Sequence, residues 1–234
     1  TGRNALCYFK KNGHLYELYD FEREDALYYL SKNLPGLTDN YYNYILTHIG
    51  MKPVFLHYAV NWLILNEVVL CNFQKNYYTV AKPEEFFEGI TPDQNLRIIE
   101  DIIRYYQSNT PKYQDIIIEL FEMIVLLDGS ISYSIIEKIY QPLPTKEIIQ
   151  TLLNTGLFMQ TPIGISTNHE LVLTALSNTS YSFYQLCAAS KLYDAIRVIK
   201  DDEFVRCKSA DLLIIMKQWG KFINLSIQIS EDAF

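Results

Sequence analysis

The stretch TGLFMQTPIGISTNHELVLTAL, which runs from Thr155 to Leu176, decides the fold of the second half of this chain. Gly156 stands where the end of a helix needs a residue in the left-handed conformation. The apolar residues Leu157–Met159 predict a short strand, and Pro162 and Gly164 predict a tight turn before a return strand. The pattern therefore predicts a helix end followed by a small β-hairpin.

Helices are predicted on both sides of this hairpin. On its C-terminal side, Asn168 is a good N-cap residue for a helix with a buried apolar face. On its N-terminal side, Thr145 is predicted to cap a helix whose apolar residues recur at helical spacing: Ile148, Ile149, Leu152 and Leu153. A helix, a wing hairpin and a further helix in this order predict a winged-helix domain.

His169 falls at the first turn of the helix that follows the wing. At this place the backbone N–H groups and the positive end of the helix dipole favour an anion. An imidazole there can also donate a hydrogen bond to that anion. From position alone, the alternative interpretation is that His169 only caps the helix or packs at the junction.

Composition narrows the class of protein. The 234 residues suit two or three small domains, and 49% hydrophobic against 20% charged residues predicts a folded, soluble chain. A net charge of −7 argues against a broad surface for nucleic acid or for an anionic membrane. We expect neither a membrane span nor a nucleic-acid partner.

The cysteines and histidines predict no metal site. The four cysteines are widely scattered and form no CxxC pair, which indicates thiols in a reducing compartment and a cytoplasmic protein. The four histidines also lack the spacing of metal ligands: His14, His48, His57 and His169.

Three helices are predicted in the first half of the chain. Asp20 is predicted to cap a helix over Phe21–Asn33, and residues 38–39 start a second helix that Gly50 stops. Pro53 stands at the N1 position of a third, strongly apolar helix. A possible strand or loop over Phe73–Val80 follows.

The rest of the chain outside the wing is also predicted to be mainly helical. Thr91–Gln94 forms a capping box with proline at N1, and Ser132 is predicted to cap a helix that ends before Pro142. After Ser177 four short helices in antiparallel pairs are expected: Tyr181–Ala189, Leu192–Ile199, Phe204–Cys207 and Asp211–Trp219. Their small alanines are typical of the start of an α-solenoid.

Motifs of common catalytic sites are missing from the sequence. It contains no GxxxxGK[ST] phosphate loop, no GxGxxG, no GxSxG and no HExxH. The acidic pairs Glu84–Glu85 and Asp201–Asp202 stand in polar contexts that predict solvated helix starts.

The order of three short motifs resembles the regulatory half of a STAND-class P-loop NTPase, the class that includes NB-ARC and NACHT-like switches. Thr1-Gly2-Arg3 resembles its sensor-1 motif. Gly50-Met51-Lys52-Pro53 resembles its Gly-x-Pro motif, with one additional residue. Asn168-His169-Glu170 resembles its Met-His-Asp motif, with Asn for Met and Glu for Asp.

The resemblance implies a nucleotide site. Arg3 would face the γ-phosphate, Gly50 and Pro53 would border the adenine, and His169 would bind the β-phosphate of ADP. The cofactor would be ATP or ADP, with Mg²⁺ held by Walker segments that precede Thr1, so this segment alone should neither hydrolyse ATP nor bind it tightly. Exchange of ADP for ATP would permit homo-oligomerisation, and the C-terminal helices would recognise a protein trigger in signalling or antiviral defence.

The expected organisation is a mainly α protein with four parts. Residues 1–20 would end the nucleotide-binding core, 21–90 would form a helical lid, 91–177 the winged helix, and 178–234 helical hairpins that begin a repeat region.

Two other functions are open. A winged helix can bind DNA, but the helix from Lys146 to Asn154 has no arginine for guanine and the wing has no basic residue. The chain can also be a helical interaction scaffold without nucleotide. In that case Arg3 is an ordinary arginine near the N-terminus and Pro53 an ordinary helix start.

Overall fold

The structure is a computed structural model that describes residues 8–11, 14–17, 20–92, 94–110, 112–197 and 203–232. It divides into two compact units, Thr1–Ile102 and Ile103–Phe234. Both are built mainly of α-helices with small antiparallel sheets, which confirms the predicted mainly helical fold with a small β-hairpin. The finer division into four parts stays a prediction.

The first unit contains two hairpins and a group of helices. Its elements in chain order are β1 (Tyr8–Lys11), β2 (His14–Glu17), α1 (Arg23–Asn33), α2 (Asp39–Ile49), α3 (Pro53–Leu65), β3 (Val69–Asn72), β4 (Tyr77–Val80) and α4 (Pro83–Gly89). β1 pairs with β2 and β3 pairs with β4, both antiparallel. α5 (Asn95–Ser108) spans the boundary between the units.

The core of the first unit lies between α1, α2 and α3, which pack on one another. Leu30, Ile45 and Leu63 are fully buried there. The short helix α4 lies against Trp62, because a Cβ atom on Gly89 would lie 2.0 Å from the Cη2 atom of that ring. A glycine at this position lets the helix and the indole pack in contact.

Two predicted elements of the first unit have different bounds in the structure. Asp20 does not cap α1, which begins at Arg23, because the N–H of Phe21 donates to the carbonyl of Met51 at 3.0 Å and holds the chain extended. The possible strand or loop over Phe73–Val80 is a turn in its first half and a strand in its second. Its second half forms β4, and Asn76 in the turn has a φ of +50°.

The second unit begins with seven elements after α5. They are α6 (Gln114–Leu126), β5 (Ser130–Ser132), α7 (Tyr133–Tyr140), α8 (Thr145–Asn154), β6 (Phe158–Gln160), β7 (Gly164–Thr167) and α9 (Glu170–Asn178). The strands form an antiparallel sheet in the order β5-β7-β6. Helix, strand, two helices and a two-stranded wing is the topology of a winged helix, as the sequence predicts.

Local residues place the elements of the winged helix. The hydroxyl of Ser132 accepts a hydrogen bond from the N–H of Ile135 and caps α7, as predicted. Gly156, with a φ of +72°, ends the turn after α8. Gly164 faces β5 so closely that a Cβ atom there would lie 2.1 Å from the carbonyl oxygen of Ile131.

Two predicted helix starts in this region are wrong in detail. Thr145 is the first residue of α8 rather than its cap, because Pro144 takes the cap position and the hydroxyl of Thr145 donates to the carbonyl of Leu143. The box Thr91–Gln94 precedes a helix that begins only at Asn95. Asp93, within that box, lies outside the described residues.

The C-terminal helices are longer than predicted. They are α10 (Ser182–Ile196), α11 (Glu203–Ile215) and α12 (Trp219–Asp232), and consecutive ones pack on each other. The break expected between Ala189 and Leu192 is absent from the described structure, because both residues are buried on one continuous helix. Neither glycine nor proline interrupts the sequence at this point.

Candidate functional site

His169 is the N-cap residue of α9, and Asn168 separates it from the end of β7. Its ring nitrogen Nδ1 accepts a hydrogen bond from the N–H of Leu171 at 3.1 Å, and its carbonyl accepts one from the N–H of Val172 at 3.0 Å. Because Nδ1 accepts, the proton of the neutral imidazole lies on Nε2. The half-buried ring therefore presents its donor nitrogen on the side away from the cap.

The sequence pattern predicts Asn168 as the N-cap of α9, but the N-cap is its neighbour His169. Asn168 does not cap α9, since its side-chain amide donates to the carbonyl of Gly156 at 2.6 Å and its backbone N–H donates to the carbonyl of Leu157 at 3.1 Å. These two bonds attach the end of the wing to the turn after α8. They fix the backbone that carries His169, so Asn168 positions the histidine.

The charge around His169 has two opposing parts. The N-terminus of α9 carries the positive end of the helix dipole, which favours an anion. Glu170 adds an exposed carboxylate in the first turn, which weakens that preference. The arrangement suits one hydrogen bond from Nε2 to an oxygen of an anion better than a cluster of charge-assisted bonds.

Gly50 and Pro53 lie at the junction of α2 and α3. Gly50 has φ +86° and ψ −169°, a conformation that favours glycine, and its N–H donates to the carbonyl of Leu46. Pro53 is the first residue of α3, as predicted, and its ring is exposed. The structure thus brings Gly50 and Pro53 together at one helix junction.

A polar cluster lies one helical turn beyond Pro53. His57 contacts the hydroxyl of Tyr29 through Nδ1 at 3.3 Å and the amide of Asn61 through Nε2 at 3.1 Å. Burial lowers the pKa of His57 and raises the pKa of Tyr29, because desolvation disfavours each charged form.

The sequence analysis predicts no metal site at His57 and does not predict this cluster. The spacing of four residues between Pro53 and His57, which places both on one face of α3, was the available signal.

The predicted site residues fall in different parts of the structure. Arg3 lies outside the described residues. Gly50 and Pro53 belong to the first unit, and His169 belongs to the second. The assignment of these residues to one nucleotide site stays a prediction.

The surface of α8 and the wing carries little positive charge. Glu147, on α8, accepts hydrogen bonds from Lys112 at 2.6 Å and from Tyr113 at 2.8 Å. The hydrogen bond from Lys112 is the main cause that lowers the pKa of Glu147. The wing exposes Ile163, with 77% of its surface accessible, rather than a basic residue. A winged helix that binds DNA needs cations on these elements.

The described residues contain neither a candidate metal cluster nor a helix that could span a membrane. Within them, no group of three or more His, Cys, Asp or Glu side chains could hold a metal ion. No helix in the described ranges has the length and apolar character needed to cross a bilayer.

The comparisons with known proteins identify no relative: no protein-family model, no curated protein and no solved structure matches this chain. The resemblance to STAND-class NTPases consequently rests on three short motifs and on the order of the elements around them. We treat the nucleotide site as a hypothesis to be tested by experiment.

Proposed function

We propose that this chain is the lid and winged-helix part of a STAND-type switch controlled by ATP and ADP. The observation that supports this proposal is the geometry of His169. Its Nδ1 is engaged in capping α9, so the proton of the neutral ring lies on Nε2, at a helix N-terminus that follows the wing. This is suitable chemistry for recognising one phosphate oxygen.

In the proposed ADP state, His169 would donate from Nε2 to the β-phosphate, and the exposed ring of Pro53 would pack on the adenine next to Gly50. ADP supplies the negative charge and the flat ring that these residues recognise. A nucleotide biases a conformational equilibrium only through contacts that differ between the two states. His169 supplies such a contact, because it would bind ADP only when the winged helix is docked.

Further elements of the proposal follow from the resemblance. Arg3 would act as the sensor of the γ-phosphate, and Walker segments of the full-length protein would hold Mg²⁺. Replacement of ADP by ATP releases the winged helix and allows homo-oligomerisation. A protein trigger acts through the C-terminal helices, in a cytoplasmic signalling or defence pathway.

The test measures the affinity for ADP and for ATP of the full-length wild-type protein and of two variants at His169. His169→Ala removes both the cap and the imidazole. His169→Asn keeps a good N-cap oxygen but removes the donor nitrogen Nε2. We expect both variants to lose ADP affinity at least about tenfold, the equivalent of one lost hydrogen bond to a charged group, while ATP affinity is retained.

The two variants separate the nucleotide role from the structural role. If His169→Asn binds both nucleotides like the wild type, and only His169→Ala lowers the thermal midpoint, then His169 is a helix cap and the proposal is wrong. A salt-dependent shift of duplex DNA by the wild-type protein would instead favour a DNA-binding winged helix. Absence of binding to nucleotide and to DNA would leave a helical interaction scaffold.

A further inference from the structure

A row of carboxylates on α6 faces the start of the C-terminal helices. Asp115, Glu119 and Glu122 follow at spacings of four and three residues, which places them on one side of the helix. Glu119 is 8% exposed and Glu122 only 2%. Carboxylates are seldom buried to this extent unless they are paired. The partners of these carboxylates therefore indicate their structural role.

The first two carboxylates bind side chains of α10. The hydroxyl of Tyr184 donates to Asp115 at 2.5 Å, and the ammonium of Lys191 donates to Glu119 at 2.8 Å. Tyr140, on α7, also donates to Glu119 at 2.9 Å. Burial and the charge of Glu119 raise the pKa of Tyr140, so this phenol stays protonated as the donor. One carboxylate thus joins α6, α7 and α10.

The third carboxylate caps α10 from outside. Glu122 accepts from the hydroxyl of Ser180 at 2.6 Å and from the backbone N–H of Tyr181 at 2.9 Å. Tyr181 holds the N-cap position of α10 and makes no side-chain cap bond of its own. The buried carboxylate of α6 therefore satisfies the backbone N–H of the N-cap residue of α10, a group that the N3 side chain satisfies in a capping box.

Both ends of α10 are attached to the winged helix. At its C-terminal end, the ammonium of Lys138 on α7 donates to the carbonyl of Ala195 at 2.9 Å. Just before its N-terminal end, the buried amide of Gln107 donates to the carbonyl of Thr179 at 3.3 Å. Between these points α10 packs against α6. Ala188, Ala189 and Leu192 of α10 are fully buried.

Helix α9 also packs on α6. We propose that α10 is a fixed part of the winged-helix body and that α6, α9 and α10 move as one rigid unit. Apolar contacts alone would let α10 slide along α6, but a slide of one turn would leave Glu119 and Glu122 buried without their partners. An unpaired buried carboxylate is strongly unfavourable. The bonds that Asp115, Glu119 and Glu122 accept, here called the polar seam, therefore fix the position of α10 along α6. A partner that binds the C-terminal helices then moves α9, and His169 with it. This inference does not depend on nucleotide binding.

Native-state hydrogen exchange of the 234-residue chain, measured without nucleotide, tests the inference. In the wild type, we expect the slowest amides of α6, α9 and α10 to share one opening free energy and one dependence on denaturant. Lys191→Met keeps the aliphatic stem and removes the ammonium that pairs with Glu119. It should accelerate exchange in all three helices by the same factor, about fivefold.

Lys82→Met is the matched control, since Lys82 forms an exposed pair with Glu85 in the first unit. It should leave exchange in α6, α9 and α10 unchanged. Glu122→Leu disrupts the bonds at the N-terminal end of α10 instead. It should again accelerate hydrogen exchange in the three helices together. Faster exchange of α10 alone in either seam variant, or no change in any of the three helices, would overturn the proposal.

Discussion

The buried carboxylate of Glu122 accepts a 2.6 Å hydrogen bond from the hydroxyl of Ser180 at the corner between α9 and α10. Burial raises the pKa of Glu122, and the bonds from Ser180 and Tyr181 oppose that change only in part. The folded protein thus holds this proton more tightly than the unfolded chain does. The charged carboxylate lowers the free energy of unfolding at neutral pH.

Glu122→Gln should remove one component of the pH dependence of stability. In the wild type, this component is fully present below about pH 4.3, the ordinary pKa of a Glu carboxyl, and is lost as the pH rises through the raised value. Urea unfolding at a series of pH values measures it as a difference between wild type and variant. Glu137→Gln, an exposed change on α7, is the control. Parallel curves for wild type and Glu122→Gln would contradict the assignment.

His57→Gln should change the pH dependence in the opposite direction. Burial lowers the pKa of His57, so the folded protein favours the neutral ring. The stability contribution is present above about pH 6.5 and is lost as the pH falls through the lowered value. The variant should lack this loss in urea titrations. Asn61→Ala should retain it, because desolvation of the ring is the cause of the shift. Equal loss in wild type and His57→Gln would disprove the prediction.

Gly164→Ala should destabilise the winged helix by about 1–3 kcal/mol or more. The new Cβ atom would lie 2.1 Å from the carbonyl oxygen of Ile131, and backbone on the paired strand cannot rotate away as a flexible side chain can. Gly220→Ala is the control, because no atom lies within 4 Å of a Cβ there and alanine favours helix. Equilibrium unfolding should show a loss only for Gly164→Ala.

Gly50→Ala should lower the free energy of unfolding by about 1–3 kcal/mol although its surroundings are open. The loss arises from backbone strain, since the residue has φ +86° and ψ −169°. Denaturant unfolding without nucleotide measures it. A change within about 0.5 kcal/mol would show that the junction of α2 and α3 relaxes to another conformation.

Local signals predicted the parts of the fold that depend on neighbouring residues. Pro53 begins α3, Ser132 caps α7 and Gly156 takes the left-handed conformation, because each of these requirements is set within one turn of chain. Two of the wrong helix starts share one cause. At Asp20 and Asn168, bonds to distant backbone carbonyls replaced the local cap that the sequence pattern indicates.

By itself, the sequence determined a mainly helical chain with a winged helix and placed His169 at the start of the helix after the wing. Hydrophobic periodicity and capping residues act over short distances, so they can be read without a structure. Only the tertiary structure decided that Nδ1 of His169 caps α9 and that Glu119 and Glu122 attach α10 to α6. The partners of a buried polar group are chosen by packing between residues far apart in the chain, and no local pattern encodes that choice.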